Sequence, residues 1–154
     1  MQTRETLQLL FEKWIKKLRL TPDWDIHLEW IEDPAWRKTA DFKIDCDDRK
    51  AIILLNAAEI DRENMEEMIV HELMHLKLYP LDQITESLIV SNFEEGTQGY
   101  DFAYRCFFTT LEQTVEELAK CFLLKFGQNK ELSFQRCSTT KSFTELYEGL
   151  KPIE

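Results

Sequence analysis

Residues 68–78, MIVHELMHLKL, place His71 and His75 four positions apart in a run that is otherwise almost entirely apolar. An α-helix turns by about 100° per residue, so positions four apart differ by only about 40° and their side chains share one face. Glu72 is displaced by about 100° from His71 on the same helix. The apolar neighbours predict a buried helix, in which two histidines and a glutamate need partners.

The spacing H-E-x-x-H is typical of zinc sites in which both imidazoles bind the ion. Zinc in such a site lowers the pKa of its water to about 7, and a nearby carboxylate can take the proton as the water attacks a carbonyl carbon. The sequence therefore predicts Zn²⁺ as the cofactor, His71 and His75 as ligands, and Glu72 as the general base of amide hydrolysis. The alternative is a pair of core histidines bonded to carbonyls, beside a surface glutamate.

A third zinc ligand is expected from a later helix, because catalytic zinc usually has three protein ligands and no histidine follows His75. Glu112 and Glu116 repeat the four-residue offset and share a helical sector with Phe108. We expect Glu112 to be the third ligand and Glu116 to orient His71 through a hydrogen bond. Exchanged roles for the two glutamates, or an ordinary acidic helix rim, are the alternatives.

The flanking patterns predict an α+β fold in which an N-terminal helix and a small sheet precede the two functional helices. The sheet is expected to be antiparallel, with a mixed sheet as the alternative. The predicted elements are a helix over Thr3 to Leu20, strands over Trp24 to Trp30, Thr39 to Asp45 and Ala51 to Leu55, an active-site helix over Asp61 to Leu78, and a glutamate helix marked by apolar residues from Phe107 to Phe126.

Helix ends are predicted from capping and breaking residues. Asp61 is the expected N-cap of the active-site helix, and Tyr79-Pro80 is expected to end it. Residues 81–99 predict a short helix followed by a loop, and the tail predicts one short helix around Phe143 to Leu150.

Composition limits the class of protein. At 154 residues and 44% hydrophobic content, residues 1–154 are expected to form a single domain. A net charge of −10 opposes nucleic-acid binding, and no apolar run has the length of a membrane span. Four scattered cysteines and no secretory signal predict reduced thiols and a cytoplasmic location. The oligomeric state cannot be predicted from these features.

The chain resembles the gluzincins, in which HExxH is followed by a glutamate ligand on a later helix and an acidic residue four positions on. Its element order is similar to that of the compact minigluzincins over roughly Thr3 to Gly127. Lys77 and Glu116 depart from the common pattern, which has an apolar residue and an aspartate there. The resemblance implies a zincin-like fold, a zinc-dependent peptidase activity and a peptide or protein substrate.

Two further features of a peptidase site are expected. An extended substrate would pair with a strand edge, either Ala51 to Asn56 or Ala40 to Asp45. A donor would stabilise the oxyanion, and Tyr100 and Tyr104 are the predicted residues, with Arg105 and His27 as further candidates. The competing functions are an inactive zinc-binding regulatory or interaction module and an interaction domain without metal.

Overall fold

Helices and a small sheet alternate along the chain in a computed structural model, which describes residues 2–146 apart from the side chains of Gln135 and Arg136. The α+β class is confirmed. The predicted helix around Phe143 to Leu150 is present as far as Leu146, and its other residues lie outside the described part. The elements are α1 (Arg4–Lys17), β1 (Asp25–Ile31), β2 (Ala40–Asp45), β3 (Lys50–Asn56), a 3-10 turn (Ala57–Glu59), α2 (Met65–Asn92), α3 (Gln98–Phe126), α4 (Gln135–Ser138) and α5 (Phe143–Leu146).

The sheet is mixed, with strand order β1-β3-β2. The predicted hairpin joins β2 to β3 in antiparallel register, and the Asp45 carboxylate accepts hydrogen bonds from the backbone N–H groups of Asp47 and Asp48, both at 3.1 Å. β1 pairs with β3 in parallel, so the sheet is not antiparallel throughout. β3 is therefore the central strand, and β2 lies at one edge.

α2 is longer than predicted at its C-terminal end, because Tyr79-Pro80 does not stop it and the helix continues to Asn92. Proline removes a single backbone hydrogen bond and its ring crowds the preceding turn. Packing of α3 along α2 and contacts of Tyr79 offset that cost. The Tyr79 ring lies edge-on to Trp24 with centroids 6.2 Å apart, and its hydroxyl is 3.0 Å from the Cys46 sulfur.

Both long helices also begin at other residues than predicted. Asn64 is the N-cap of α2, so the prediction of Asp61 is wrong. α3 begins at Gln98, capped by the Thr97 hydroxyl, well before the apolar stripe that was expected to mark it. The two helices thus pair over much of their length, and this pairing brings the predicted site residues of α3 next to those of α2.

The core lies between α1, the sheet and the N-terminal half of α2. Each element contributes the apolar face that its sequence pattern predicts. The fully buried side chains include Leu7, Phe11 and Trp14 from α1, Ile53 and Leu55 from β3, and Ile69, Val70 and Leu73 from α2. No helix in residues 2–146 has the length and apolar character needed to cross a membrane.

Glu66 connects the first turn of α2 to α1 and to the segment that follows α3. Its carboxylate accepts from the indole N–H of Trp14 at 2.8 Å and from the Lys13 ammonium at 3.2 Å. The backbone N–H groups of Gln128 and Asn129 donate to its other oxygen at 2.8 and 2.9 Å. These bonds fix α2 relative to α1 and to the segment that follows α3.

Candidate metal centre

The histidine pair of α2 meets Glu112 of α3. The Nε2 atoms of His71 and His75 lie 3.2 Å apart. One carboxylate oxygen of Glu112 is 3.3 Å from His75 Nε2, and the other is 3.8 Å from His71 Nε2. One potential ligand atom from each residue lies within 4.8 Å of the others, so the three side chains could hold a metal ion.

The spacing of these atoms fits a tetrahedral ion with nitrogen and oxygen ligands. Atoms bound at 2.0–2.2 Å in a tetrahedral zinc site lie about 3.4 Å from one another. The two Nε2 atoms are 3.2 Å apart, close to that value, and they lie 3.3 and 3.8 Å from the two different carboxylate oxygens of Glu112. Two imidazoles and a carboxylate also form one of the known ligand sets of catalytic zinc, which leaves a fourth position open.

Glu116 fixes the orientation and tautomer of His71. The carboxylate lies 3.0 Å from His71 Nδ1, and its other oxygen accepts from the Lys120 ammonium at 2.7 Å. The hydrogen bond with His71 lowers the pKa of Glu116 to about 2, with Lys120 adding to it and burial opposing it. Because an ionised carboxylate can only accept, Nδ1 carries the proton, and in the neutral form of His71 the lone pair is therefore on Nε2.

The pKa values of the two histidines shift in opposite directions. Burial and the charge on His71 lower the pKa of His75 to about 4. Burial also lowers the pKa of His71, but the hydrogen bond with Glu116 and the nearby carboxylates outweigh it, so the net shift is upward. The Phe42 ring stacks on His75 with centroids 5.3 Å apart and an angle of 26°. The lowered pKa keeps the His75 imidazole neutral near pH 7, which is the form that binds a metal.

Glu72 lies beside the cluster without a hydrogen-bond partner in the described part of the chain. It is only 8% exposed. Burial raises the pKa of Glu72 to about 7, and the charges of Asp41 and Glu112 add to this, whereas His71 opposes it. A carboxylate with a pKa near neutrality can both accept and return a proton, which is the requirement for a general base.

Two cavities meet at the cluster, and His71, Glu72 and Glu112 line both. The first, here called the glutamate cavity, has a volume of about 250 Å³; the second, the phenylalanine cavity, about 270 Å³. The glutamate cavity is also lined by Thr39, Glu63, Glu67, Met68, Glu116 and Ser133. The phenylalanine cavity is also lined by Asp41, Phe42, His75, Asp82, Phe108 and Leu111.

Several of these lining residues were not singled out from the sequence. Glu67 and Glu63 stand four and eight residues before His71, so a search for acidic residues in register with the histidines would have found them. Asp41 and Phe42 carry no such signal, because their position depends on how β2 packs against α2. Glu112 is 48% exposed, so the cleft is open on the side of α3.

The predicted oxyanion donors are not brought to the cluster. The Tyr104 hydroxyl donates to a Glu86 carboxylate oxygen at 2.8 Å, and its ring lies 4.7 Å from that of Tyr100. Neither tyrosine lines the two cavities. Tyr104 precedes Glu112 by eight residues, which is roughly 12 Å along a helix axis. Exposed Arg105 and His27 also lie outside both linings.

Only one of the two strands expected to pair with a substrate lies at an edge of the sheet. β3 (Lys50–Asn56) is hydrogen-bonded on both sides, so the prediction for Ala51 to Asn56 is wrong. β2 is an edge strand, and Asp41 and Phe42 within it line the phenylalanine cavity. The other proposed edge, Ala40 to Asp45, therefore lies next to the cluster.

The chain was compared with protein-family models, with curated proteins and with solved structures, and none of the three comparisons found a match.

Proposed function

We propose that the protein is a zinc-dependent peptidase of the gluzincin type. The observation that carries the proposal is the convergence of His71, His75 and Glu112, with one potential ligand atom from each within 4.8 Å of the others, beside a buried Glu72 that has no hydrogen-bond partner among the described residues. A structural zinc site usually has four protein ligands, whereas three ligands and an adjacent base suit hydrolysis.

In this proposal, separate residues carry out proton transfer, orientation of the metal ligands and binding of the substrate. Bound zinc would supply Lewis acidity toward a water molecule and the carbonyl of the scissile bond. Glu72 takes a proton from the attacking water and returns it to the leaving amine. Glu116 and Phe42 hold the imidazoles of His71 and His75 in place, and the edge of β2 binds an extended peptide through backbone hydrogen bonds.

A reducing compartment such as the cytoplasm is the proposed location. All four cysteines are free and exposed, and exposed thiols in an oxidising compartment would be prone to disulfide formation. The proposed partner is a peptide or protein substrate.

The function is tested with zinc-loaded protein and a peptide library. We expect one zinc ion per chain, anomalous scattering at the zinc edge between the two histidines and Glu112, and cleavage detected by mass spectrometry. Glu72→Gln is expected to reduce hydrolysis about 10²- to 10⁴-fold while zinc remains bound, because only the proton transfer is lost. Glu117→Gln, on the exposed face of α3, is the control. Full activity of Glu72→Gln would rule out the assigned base.

A zinc-binding module without turnover is the second candidate, and the position of the tyrosines favours it. Neither cavity is lined by a tyrosine or arginine among the residues that the structure describes, and Thr39 and Ser133 are the hydroxyl-bearing residues in the two linings. An oxyanion donor contributes about 10²- to 10³-fold in serine peptidases. This candidate predicts stoichiometric zinc and no cleavage of any peptide in the library.

A further inference from the structure

We propose that the glutamate cavity is a subsite for an arginine or lysine side chain of the substrate, next to the bond that is cleaved. The inference rests on the proposed peptidase function and adds the class of substrate to it. The cavity adjoins the cluster directly, since His71, Glu72 and Glu112 form part of its wall. A side chain inside it would belong to a residue close to the reacting carbonyl.

The wall of this cavity carries more negative charge than the proposed metal centre uses. Glu112 faces the histidines, and Glu116 is bonded to His71 and Lys120. Glu63 and Glu67 remain, and neither forms an ion pair with a side chain that the structure describes. Two buried carboxylates that form no ion pair with a described side chain favour a cationic ligand.

Glu63 and Glu67 are also deeply buried, which increases this preference. They are 9% and 3% exposed, respectively. Glu67 accepts a hydrogen bond from the backbone N–H of Ser133 at 3.1 Å, whereas the Glu63 carboxylate has no hydrogen-bond partner in the described part of the chain. Burial raises the pKa of Glu67, and the charges of Glu116 and Glu63 act in the same direction, whereas the hydrogen bond from Ser133 and the charge of Lys120 oppose it. A cation in the cavity would relieve both the lost hydration and the repulsion.

The arrangement fits a long cationic side chain better than a second metal ion. A calcium ion takes six to eight oxygen ligands at 2.3–2.6 Å, which requires carboxylates that converge on one point. In the searched part of the chain, the one converging group is that of His71, His75 and Glu112, and it includes neither Glu63 nor Glu67. A guanidinium has five donors in a planar fork and can reach separated carboxylates.

The size and position of the cavity support the same occupant. Its volume of about 250 Å³ is below the range of roughly 300–1,000 Å³ found for pockets that take whole small-molecule ligands. Thr39, just before β2, lines it, and Phe42, within β2, lines the phenylalanine cavity. These residues are three positions apart, about 10 Å along an extended strand. A peptide lying along this edge would thus place residues near the scissile bond over both cavities.

The test uses peptide pairs that differ only in arginine or citrulline, its neutral analogue, at each position near the scissile bond. For the zinc-loaded full-length protein, we expect kcat/KM to be about tenfold higher for arginine at one of these positions. Glu63→Gln and Glu67→Gln are each expected to reduce the preference to threefold or less. Glu29→Gln, an exposed position of β1 outside both cavities, should leave it unchanged. Lys120→Gln should increase it, because a positive charge that acts on Glu67 and Glu116 is removed.

Binding to the zinc-loaded Glu72→Gln variant, measured by calorimetry, separates the subsite from turnover. Arginine peptides are expected to bind about tenfold more tightly than citrulline peptides, even if no peptide is cleaved. Absence of cleavage by the wild type would refute the peptidase function. The difference in affinity between arginine and citrulline peptides would then still test whether the cavity binds a cationic side chain. Equal affinities for the two peptides, or a second tightly bound metal ion removed by Glu63→Gln, would overturn the subsite.

Discussion

The first turn of α2 and the middle of the same helix bury a glutamate in opposite ways. Glu66, 1% exposed, accepts four hydrogen bonds, two from side chains of α1 and two from the backbone after α3. Glu72, six residues later and 8% exposed, accepts none from the residues that the structure describes.

We interpret this difference as separating a stabilising glutamate, Glu66, from the proposed general base, Glu72. Burying a carboxylate is costly unless other groups replace its hydration. The protein supplies those groups around Glu66. Around Glu72 the described part of the chain supplies an apolar helix and further carboxylates, so we expect a bound partner to replace the lost hydration. A cation and a proton in transfer are the partners that the surrounding ligand set can accommodate.

The largest change in stability is expected when the hydrogen bonds of Glu66 are removed. Glu66→Ala leaves the Trp14 indole N–H and two backbone N–H groups without an acceptor, so the free energy of unfolding should fall by about 3 kcal/mol or more. Urea denaturation measures this change. Glu117→Ala, at an exposed position of α3, should change it by no more than about 0.5 kcal/mol. Equal effects of the two variants would show that the bonds to Glu66 contribute little.

A change in stability of similar size is expected when zinc binds the proposed site formed by His71, His75 and Glu112. Zinc at 100 times its dissociation constant should raise the free energy of unfolding by about 2.7 kcal/mol, since it binds the folded chain. His75→Ala should abolish this increase, and His27→Ala, on the exposed face of β1, should retain it. Thermal melts with and without chelator measure both. An unchanged increase in His75→Ala would place the zinc elsewhere.

The smallest effect has the opposite sign and compares the two glutamates directly. In metal-free protein near pH 8, Glu72→Gln should raise the free energy of unfolding by about 1 kcal/mol, because a buried charge without partners is removed. The same change at Glu66 should lower it, because its partners are lost. Paired urea titrations of the two variants test the contrast. A loss of stability in Glu72→Gln would mean that its carboxylate has partners in the folded chain.

Local patterns predicted much of the fold. The alternation over residues 39–45 and 51–55 and the polar turn between them predicted the β2–β3 hairpin, because a hairpin depends on neighbouring residues. The parallel pairing of β1 with β3 and the continuation of α2 through Pro80 depend on contacts between distant segments. Single-helix and single-strand patterns do not contain that information.

The candidate site divides in the same way. The four-residue offsets of His71 and His75 and of Glu112 and Glu116 correctly placed each pair on one helix face, and the structure brings the two faces together. Whether zinc binds there stays a prediction. The position of the Tyr104 hydroxyl could not be predicted from the sequence, because it depends on a hydrogen bond to Glu86 on the neighbouring helix α2.

The position of β2 at the edge of the sheet also affects solubility. An unpaired strand edge that can accept a peptide can equally accept the same strand of another copy, which is a route to aggregation. β2 has the sequence ADFKID, and its charged residues Asp41, Lys43 and Asp45 alternate with apolar ones. Charges on an edge strand oppose such self-pairing because they would have to lose their hydration in an intermolecular sheet. We therefore expect β2 to bind a substrate peptide transiently while its charges oppose pairing with the β2 strand of another copy.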